Sequence, residues 1–194
     1  MKIIGITGGI GAGKSAVLNQ MEALEGIYVI EADKLAHTLL SPGHECYSEV
    51  VKCFGTDILD EEQSIDRGAL RKLVMNSPEK LNLLNAIVHP AVKKYIVDDI
   101  EQKKNLGYKY YVIEAALLIQ DGYRNICDEI WYIYADKDVR IKRLLDSRGY
   151  TRQTAEEFIK NQPEDKYYID NSDRVIDNSG TPEELRNVVL TLVN

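Results

Sequence analysis

The stretch "GITGGIGAGKSAV", residues 5–17, contains the pattern GxxxxGKS at residues 8–15, between an apolar run and an amphipathic segment. Its glycines permit positive φ and let backbone N–H groups converge on anionic oxygens, and the following helix N-terminus adds partial positive charge. Lys14 is expected to reach the β- and γ-phosphates of a nucleotide, and the Ser15 hydroxyl to ligate Mg²⁺. The alternative, a glycine turn without a ligand, is disfavoured because the whole motif stands in register between a strand and a helix.

Length and composition indicate one globular domain. The chain has 194 residues, of which 44% are apolar. The opening apolar run lacks a cleavage-site pattern, and no stretch approaches the roughly 18 apolar residues of a membrane span. The three cysteines include no CxxC pair, which argues against a disulfide framework or a zinc site and favours a reducing compartment. We therefore expect a cytoplasmic protein without membrane partners.

Charge is unevenly distributed along the chain. The net charge is -7, which argues against general nucleic-acid binding. Residues 137–152, "KDVRIKRLLDSRGYTR", nevertheless carry six basic and two acidic side chains, so this segment has a charge of +4 and the remainder a charge of -11. A concentrated basic segment in an acidic protein is typical of a small polyanionic ligand.

Short β-rich runs alternate with helical segments. The predicted strands are residues 2–7, 27–32, 109–115, 128–135 and 173–177, and a helix is predicted from Lys14 to about Glu25. Strands separated by helices imply right-handed crossovers and a parallel sheet covered on both faces. The predicted class is α/β, with a five-stranded parallel sheet flanked by helices.

Residues 34–106 show helical periodicity with no convincing strand. This interval is much longer than a crossover helix requires. We interpret it as a helical insertion and a candidate substrate-binding subdomain.

A phosphate-binding loop serves kinases, switches and motors alike, so other features must discriminate among them. The guanine-reading NKxD of a GTPase switch is missing from the sequence, and the DxxG match "DNSG" at 177–180 follows the last predicted strand. The pattern favours phosphoryl transfer to a small acceptor, which needs an acceptor subdomain, a carboxylate near the acceptor hydroxyl and arginines over the transferring group.

Two carboxylates follow predicted strands at the edge where ligands of open α/β sheets collect. Asp33 could orient an incoming hydroxyl and accept its proton, or could cap a helix that starts at Lys34. Glu114 could hold a metal-bound water, or could cap the turn that follows its strand.

Arg140 and Arg143 lie three residues apart in the basic segment, so they can share one side of a helix. Guanidinium groups bind phosphate bidentately and stabilise charge as it develops. A solvated helix face is the alternative.

The ordered set of motifs resembles the dephospho-coenzyme A kinase family over nearly the whole chain. The matching stretches are "TGGIGAGKS" at 7–15, "EAD" at 31–33, "RGALRKLV" at 67–74, "HPAV" at 89–92, "EAALLI" at 114–119, "RIKRLL" at 140–145, Gln162 and "DRVIDNSG" at 173–180. The resemblance implies a P-loop nucleoside triphosphate hydrolase fold and transfer of the ATP γ-phosphate, with Mg²⁺, to the ribose 3′-hydroxyl of dephospho-coenzyme A. It implies small-molecule substrates, no nucleic-acid partner, and a monomer for which weak oligomers stay open.

The resemblance also implies three parts. These are a nucleotide-binding core at 1–33, 107–139 and 168–194, a helical acceptor subdomain at 34–106, and a lid at 140–167.

The motif and the resemblance together predict the site residues. The predicted catalytic residues are Lys14, Asp33 and Arg140; the predicted nucleotide-binding residues are Gly9, Gly11, Ala12, Gly13, Lys14, Ser15, Ala16, Arg143 and Asn178; the predicted acceptor-binding residues are Asp33, Arg67, Arg71 and His89; the predicted metal ligand is Ser15. For His89, which precedes Pro90, a helix boundary is an alternative role. For Asn178 the alternative is an ordinary turn formed with Gly180.

The chain departs from the family pattern at three places. Gln120 stands where a carboxylate is common, Arg148 is shifted by one position, and Phe158 replaces a frequent arginine. Two other functions stay open: a nucleoside monophosphate or other small-metabolite kinase, and a noncatalytic nucleotide sensor.

Overall fold

The computed structural model describes residues 1–193 and contains a five-stranded parallel sheet. The strands are β1 (Lys2–Thr7), β2 (Ile27–Glu31), β3 (Tyr110–Glu114), β4 (Glu129–Tyr134) and β5 (Arg174–Asp177). Their spatial order is β2-β3-β1-β4-β5. The predicted five-stranded parallel sheet is confirmed, and the strand bounds differ from the prediction by at most one residue at each end.

Nine α-helices connect and flank these strands within residues 1–193. They are α1 (Lys14–Glu22), α2 (Ala32–Leu39), α3 (Tyr47–Phe54), α4 (Arg67–Met75), α5 (Pro78–Asn105), α6 (Lys137–Arg148), α7 (Arg152–Lys160), α8 (Asp165–Asp170) and α9 (Pro182–Val193). The first helix ends three residues earlier than predicted, and Gly26, with φ of +81°, turns the chain into β2.

The strand order places the phosphate-binding loop at a topological switch point. β1 pairs with β3 on one side and with β4 on the other, so β2 and β3 lie on one side of β1 and the later strands β4 and β5 lie on the other. Ligands of open α/β sheets bind in the crevice at the carboxyl ends of the strands at such a point. The loop that follows Thr7 opens into this crevice.

The chain divides into two compact units, and the first comprises Met1–Ile30 and the chain from Lys103 onward. Its central strands β1, β3 and β4 are largely apolar and buried on both faces, as expected of a parallel sheet covered by helices. The core of this unit contains these buried side chains: Ile4, Ile6, Val17, Met21, Val112, Trp131, Ile133, Ile176, Leu185 and Val189.

The second unit, Glu31–Gln102, is helical. Its extended pairing among the described residues is a single antiparallel bridge between Leu59 and Ile65. α5 continues through His89 and Pro90, so the interpretation of His89 as a helix boundary is wrong. Proline removes one helix hydrogen bond, but twelve residues precede Pro90 in this 28-residue helix and fifteen follow it. The functional boundaries predicted for an acceptor subdomain and a lid stay predictions.

Within residues 1–193, no helix has the length and apolar character that crossing a membrane requires.

Candidate active site

The phosphate-binding loop joins β1 to α1 as the motif predicts. β1 ends at Thr7 and α1 begins at Lys14, with Gly13 at the N-cap in the left-handed region, at φ of +88°. Gly13 has no side chain, so no capping hydrogen bond competes for the first N–H groups of α1. These groups and the helix dipole form a site for an anion.

Three glycines of the loop allow close contacts with other parts of the first unit. A Cβ atom on Gly9 would collide with the guanidinium of Arg140, and one on Gly13 would collide with the side-chain amide of Asn178. A Cβ atom on Gly11 would lie 2.8 Å from the carbonyl oxygen of Arg140. The glycines are therefore needed for packing within the protein as well as for the approach of phosphate.

Lys14 lies inside the loop, beside the end of β3. Its Nζ donates to the carbonyl oxygen of Gly8 at 2.9 Å and lies 3.6 Å from Oε1 of Glu114. Glu114 is buried at the last position of β3. The structure therefore brings the predicted catalytic lysine and the strand-end carboxylate together at the crevice.

The two predicted arginines pack on the loop. Arg140 is only 6% exposed, and its Nε donates to the carbonyl oxygen of Ile10 at 2.9 Å. Arg143 is half-buried and donates to the carbonyl oxygens of Ala12 at 3.2 Å and Asn178 at 2.8 Å. The alternative of a solvated helix face is therefore wrong for both side chains.

Asn178 supports the loop from β5. Its side chain is buried, and its Nδ2 donates to the carbonyl oxygen of Ala12 at 2.8 Å. Its backbone N–H donates to the carbonyl oxygen of Tyr134 at 2.8 Å. An ordinary turn does not account for a buried amide with these partners.

Sequence reasoning assigned no role to Gln162, although it lies at the loop. Its Oε1 accepts from the backbone N–H of Ile10 at 2.8 Å and from Nη2 of Arg140 at 3.0 Å. A polar side chain just after a helix carries no local signal of such contacts, and the only pointer was its place in the family pattern.

Asp33 lies in the second unit, in the first turn of α2. The helix begins at Ala32 and Glu31 occupies the N-cap, so the alternative role of Asp33, as the cap of a helix starting at Lys34, is wrong. The carboxylate of Glu31 instead pairs with Lys34 at 2.6 Å. Asp33 is exposed and is therefore accessible to a substrate.

Arg67 and Arg71 lie one turn apart on α4 and border a cavity of about 580 Å³ within the second unit. The other lining residues are His37, Leu40, Ser41, Pro42, Ser64, Ile65, Leu70, Val74 and Leu84. His89 is half-buried in α5 and does not line this cavity. The structure thus brings the two predicted acceptor arginines together but not His89.

The three departures from the family pattern lie at exposed positions. Gln120 is exposed, Arg148 is the exposed last residue of α6, and the ring of Phe158 stacks on that of Tyr150 with centroids 5.3 Å apart.

The sheet order and the loop that carries Lys14 and Ser15 define a P-loop protein with the architecture of small-molecule kinases. The solved structure of a shikimate kinase from Acinetobacter baumannii has this fold, with a TM-score of 0.54 and 14% identity over 100% of this chain and 93% of that chain. The family model described as dephospho-CoA kinase matches residues 2–184. The chain belongs to the dephospho-CoA kinase family.

Relatives cover essentially the whole chain. A dephospho-CoA kinase of Carboxydothermus hydrogenoformans is 38% identical over 100% of this chain and 93% of its own length. One of Aquifex aeolicus is 41% identical over 95% of this chain and 92% of its own length. A solved Thermus thermophilus protein has a TM-score of 0.82 and 26% identity, covering 100% of this chain and 98% of that chain.

Proposed function

We propose that this protein transfers the γ-phosphate of ATP to the ribose 3′-hydroxyl of dephospho-CoA, producing CoA and ADP. The observation that carries the proposal is the dephospho-CoA kinase family match over residues 2–184, which includes the phosphate loop and the arginines that pack on it. The family is a family of ATP-dependent kinases, so the enzyme is a phosphotransferase.

The first unit supplies the nucleotide site. Backbone N–H groups of the loop, such as those of Gly11, Gly13 and Ser15, surround the β- and γ-phosphates of ATP, and Lys14 exchanges its bond to the Gly8 carbonyl for the phosphate oxygens. Arg143 and Asn178 hold the carbonyl of Ala12, which keeps the N–H groups of the loop turned toward the ligand.

The residues at the loop fit Mg²⁺. The Ser15 hydroxyl and the Glu114 carboxylate are hard oxygen donors, which this cation prefers, and it usually binds through few protein oxygens together with water and phosphate. Ser15 would ligate the ion directly, and Glu114 would hold one of its water ligands. The ion would neutralise charge on the phosphates when it is bound.

Two basic groups stabilise charge on the transferring phosphoryl group. The ammonium group of Lys14 stays close to the phosphoryl group during its transfer. Arg140 has five N–H donors, of which two are used on Ile10 and Gln162. The two N–H groups of Nη1 face Asp165, whose Oδ1 lies 3.8 Å away, and the second N–H of Nη2 is left for a phosphoryl oxygen over the loop. Such preorganised donors stabilise the transition state because they need no rearrangement during the reaction.

The second unit supplies the acceptor site. Asp33 orients the 3′-hydroxyl and accepts its proton late in the transfer, so that the products are CoA, ADP and a proton. Arg67 and Arg71 bind the phosphates of the acceptor, and His89 contributes a further acceptor contact. Residues 34–106 act as the acceptor subdomain and residues 140–167 as the lid over the core formed by the remaining chain.

A coupled ADP-release assay with dephospho-CoA as the varied acceptor tests the proposal. We expect saturable ADP release and one CoA formed for each ADP. Nucleoside monophosphates at the same concentration should give only the background rate. ADP release that depends on a monophosphate instead would identify a nucleoside monophosphate kinase, and ATP binding with no acceptor-dependent turnover would identify a nucleotide sensor.

A further inference from the structure

The buried guanidinium of Arg140 lies near the carboxylate of Asp165. Its hydrogen-bond acceptors, the Ile10 carbonyl and the Gln162 amide oxygen, are both neutral. An arginine stays charged when it is buried, so its burial is costly unless a countercharge is near. Within residues 1–193, the carboxylate within 4.0 Å is that of Asp165, whose Oδ1 lies 3.8 Å from Nη1 of Arg140.

The carboxylate of Asp165 is itself held by Tyr132. The hydroxyl of Tyr132 donates to Oδ1 of Asp165 at 2.5 Å. The Tyr132 ring is 1% exposed and stacks on Tyr168, with centroids 4.9 Å apart and ring planes at 6°. Burial, followed by the hydrogen bond to Asp165, raises the pKa of Tyr132, so the hydroxyl keeps its proton and stays a donor. A fixed ring therefore directs the oxygen of Asp165 that faces Arg140.

Arg140 in turn determines the path of the phosphate loop at Ile10. The carbonyl of Ile10 accepts from Arg140, and its N–H donates to Gln162 at 2.8 Å. Its side chain packs on the apolar cluster of Ile141, Leu144 and Ala155 between α6 and α7. Since Gly9 and Gly11 also contact Arg140 too closely to allow a Cβ atom, the backbone from Gly9 to Gly11 depends on where this arginine lies.

We propose that Asp165 is a positioning residue for phosphoryl transfer: as the countercharge of Arg140, directed by Tyr132, it keeps the Gly9–Gly11 turn in the conformation that receives the nucleotide phosphates. The inference rests on the proposed function, because it concerns the same loop. Asp165 acts through Arg140 and needs no contact with the substrate.

The variant Asp165→Asn tests this role, because asparagine keeps an oxygen for Tyr132 and removes only the charge. We expect kcat to fall about tenfold and the KM for ATP to rise several-fold, with the KM for dephospho-CoA unchanged. Asp165→Glu restores the charge and should recover most of the lost activity. The matched control is Asp170→Asn on the same helix, where the carboxylate pairs with Lys166 at the surface, at 2.7 Å. The control should keep wild-type parameters.

A purely structural role predicts another pattern. Loss of folded protein would lower kcat in proportion to the active fraction, measured as the stoichiometry of ATP binding, and would leave the KM for ATP unchanged. That pattern would overturn the inference, as would an Asp165→Asn variant that matches Asp170→Asn. The proposed function is judged separately, because it fails only if the wild-type protein forms no CoA.

Tyr132→Phe gives a second, independent readout. If the hydroxyl acts only through Asp165, the single variant lowers kcat less than Asp165→Asn, and the double variant is no slower than Asp165→Asn alone. Fully additive losses in kcat would mean that Tyr132 and Asp165 act separately, and would overturn the inference.

Discussion

At the scale of single residues, Lys14 places its ammonium group inside the phosphate-binding loop. Its Nζ contacts the loop carbonyl of Gly8 and the carboxylate of Glu114, so its positive charge lies at the phosphate-binding loop before any ligand binds. Phosphoryl transfer depends mainly on such positioned charge.

Lys14→Ala is therefore expected to lose about three decades of kcat in the ADP-release assay. The control is Lys109→Ala, which removes an exposed lysine just before β3. Activity of Lys14→Ala within a few-fold of this control would contradict the role given to Lys14.

Asp33 gives a second prediction at this scale. Because it is not the N-cap of α2, its replacement by asparagine should cost the helix start only the small interaction of a first-turn charge with the helix dipole. We expect Asp33→Asn to lower kcat while the calorimetric affinity for ATP stays unchanged. An unchanged rate would show that the hydroxyl of the acceptor needs no carboxylate at this position.

At the scale of secondary-structure elements, the loop between β1 and α1 is built around glycines with different constraints. Gly11 has φ of +77°, and its absent Cβ leaves room for the carbonyl of Arg140. Gly43 has a similar φ of +85°, and nothing lies within 4 Å of its Cβ position.

Gly11→Ala should therefore abolish ATP binding measured by calorimetry, whereas Gly43→Ala should cost only the backbone strain of about 1–2 kcal/mol. The pair separates strain from collision, because both substitutions place alanine in the left-handed region. Equal effects of the two substitutions on ATP affinity would contradict the packing argument.

The sheet also has an ionic cluster at the amino ends of β1, β4 and β5. Glu129 accepts from Arg174, Lys2 and the indole N–H of Trp131, at 3.0, 2.7 and 2.8 Å. These hydrogen bonds lower the pKa of Glu129 from its usual 4.5 to about 2. The carboxylate therefore stabilises the fold above pH 4.5, and this stabilisation is lost as the pH falls toward 2.

Glu129→Gln should lower the free energy of unfolding at pH 7 by about 1–2 kcal/mol, because solvent screens part of the interaction. Urea titrations of the variant and the wild type should converge between pH 4.5 and 2. The control is Glu157→Gln, on the exposed face of α7. A stability difference that does not change over this pH range would contradict the ionic origin of the effect.

At the scale of the whole molecule, the phosphate site should couple ligand binding to stability. Any ligand that binds only the folded chain stabilises it, by about 2.7 kcal/mol when its concentration is one hundred times its Kd. We expect ATP with Mg²⁺ to raise the free energy of unfolding by this amount in urea titrations, and adenosine, which has no phosphates, to raise it much less. Equal shifts for the two ligands would contradict a site built around the phosphate chain.

Much of the fold could be predicted from local patterns. The strands are short apolar runs, each helical segment has its own periodicity, and the loop needs glycine at defined positions. Each of these signals lies within a few neighbouring residues, which were sufficient to predict the element. The errors arose at ends and boundaries: α1 stops at Glu22, α2 starts before Asp33, and α5 runs through Pro90. At such places, capping and packing by distant residues compete with local preference.

The sequence by itself determined the α/β class, the phosphate loop with Lys14 and Ser15, and the family. Only the tertiary structure decided what surrounds the loop: Arg140 bonds to Ile10 across 130 positions of the chain, and Asn178 to Ala12 across 166. The sequence of a basic run does not show whether its side chains are solvated or buried. Their burial depends on which distant backbone carbonyls and carboxylates the fold brings within hydrogen-bonding distance.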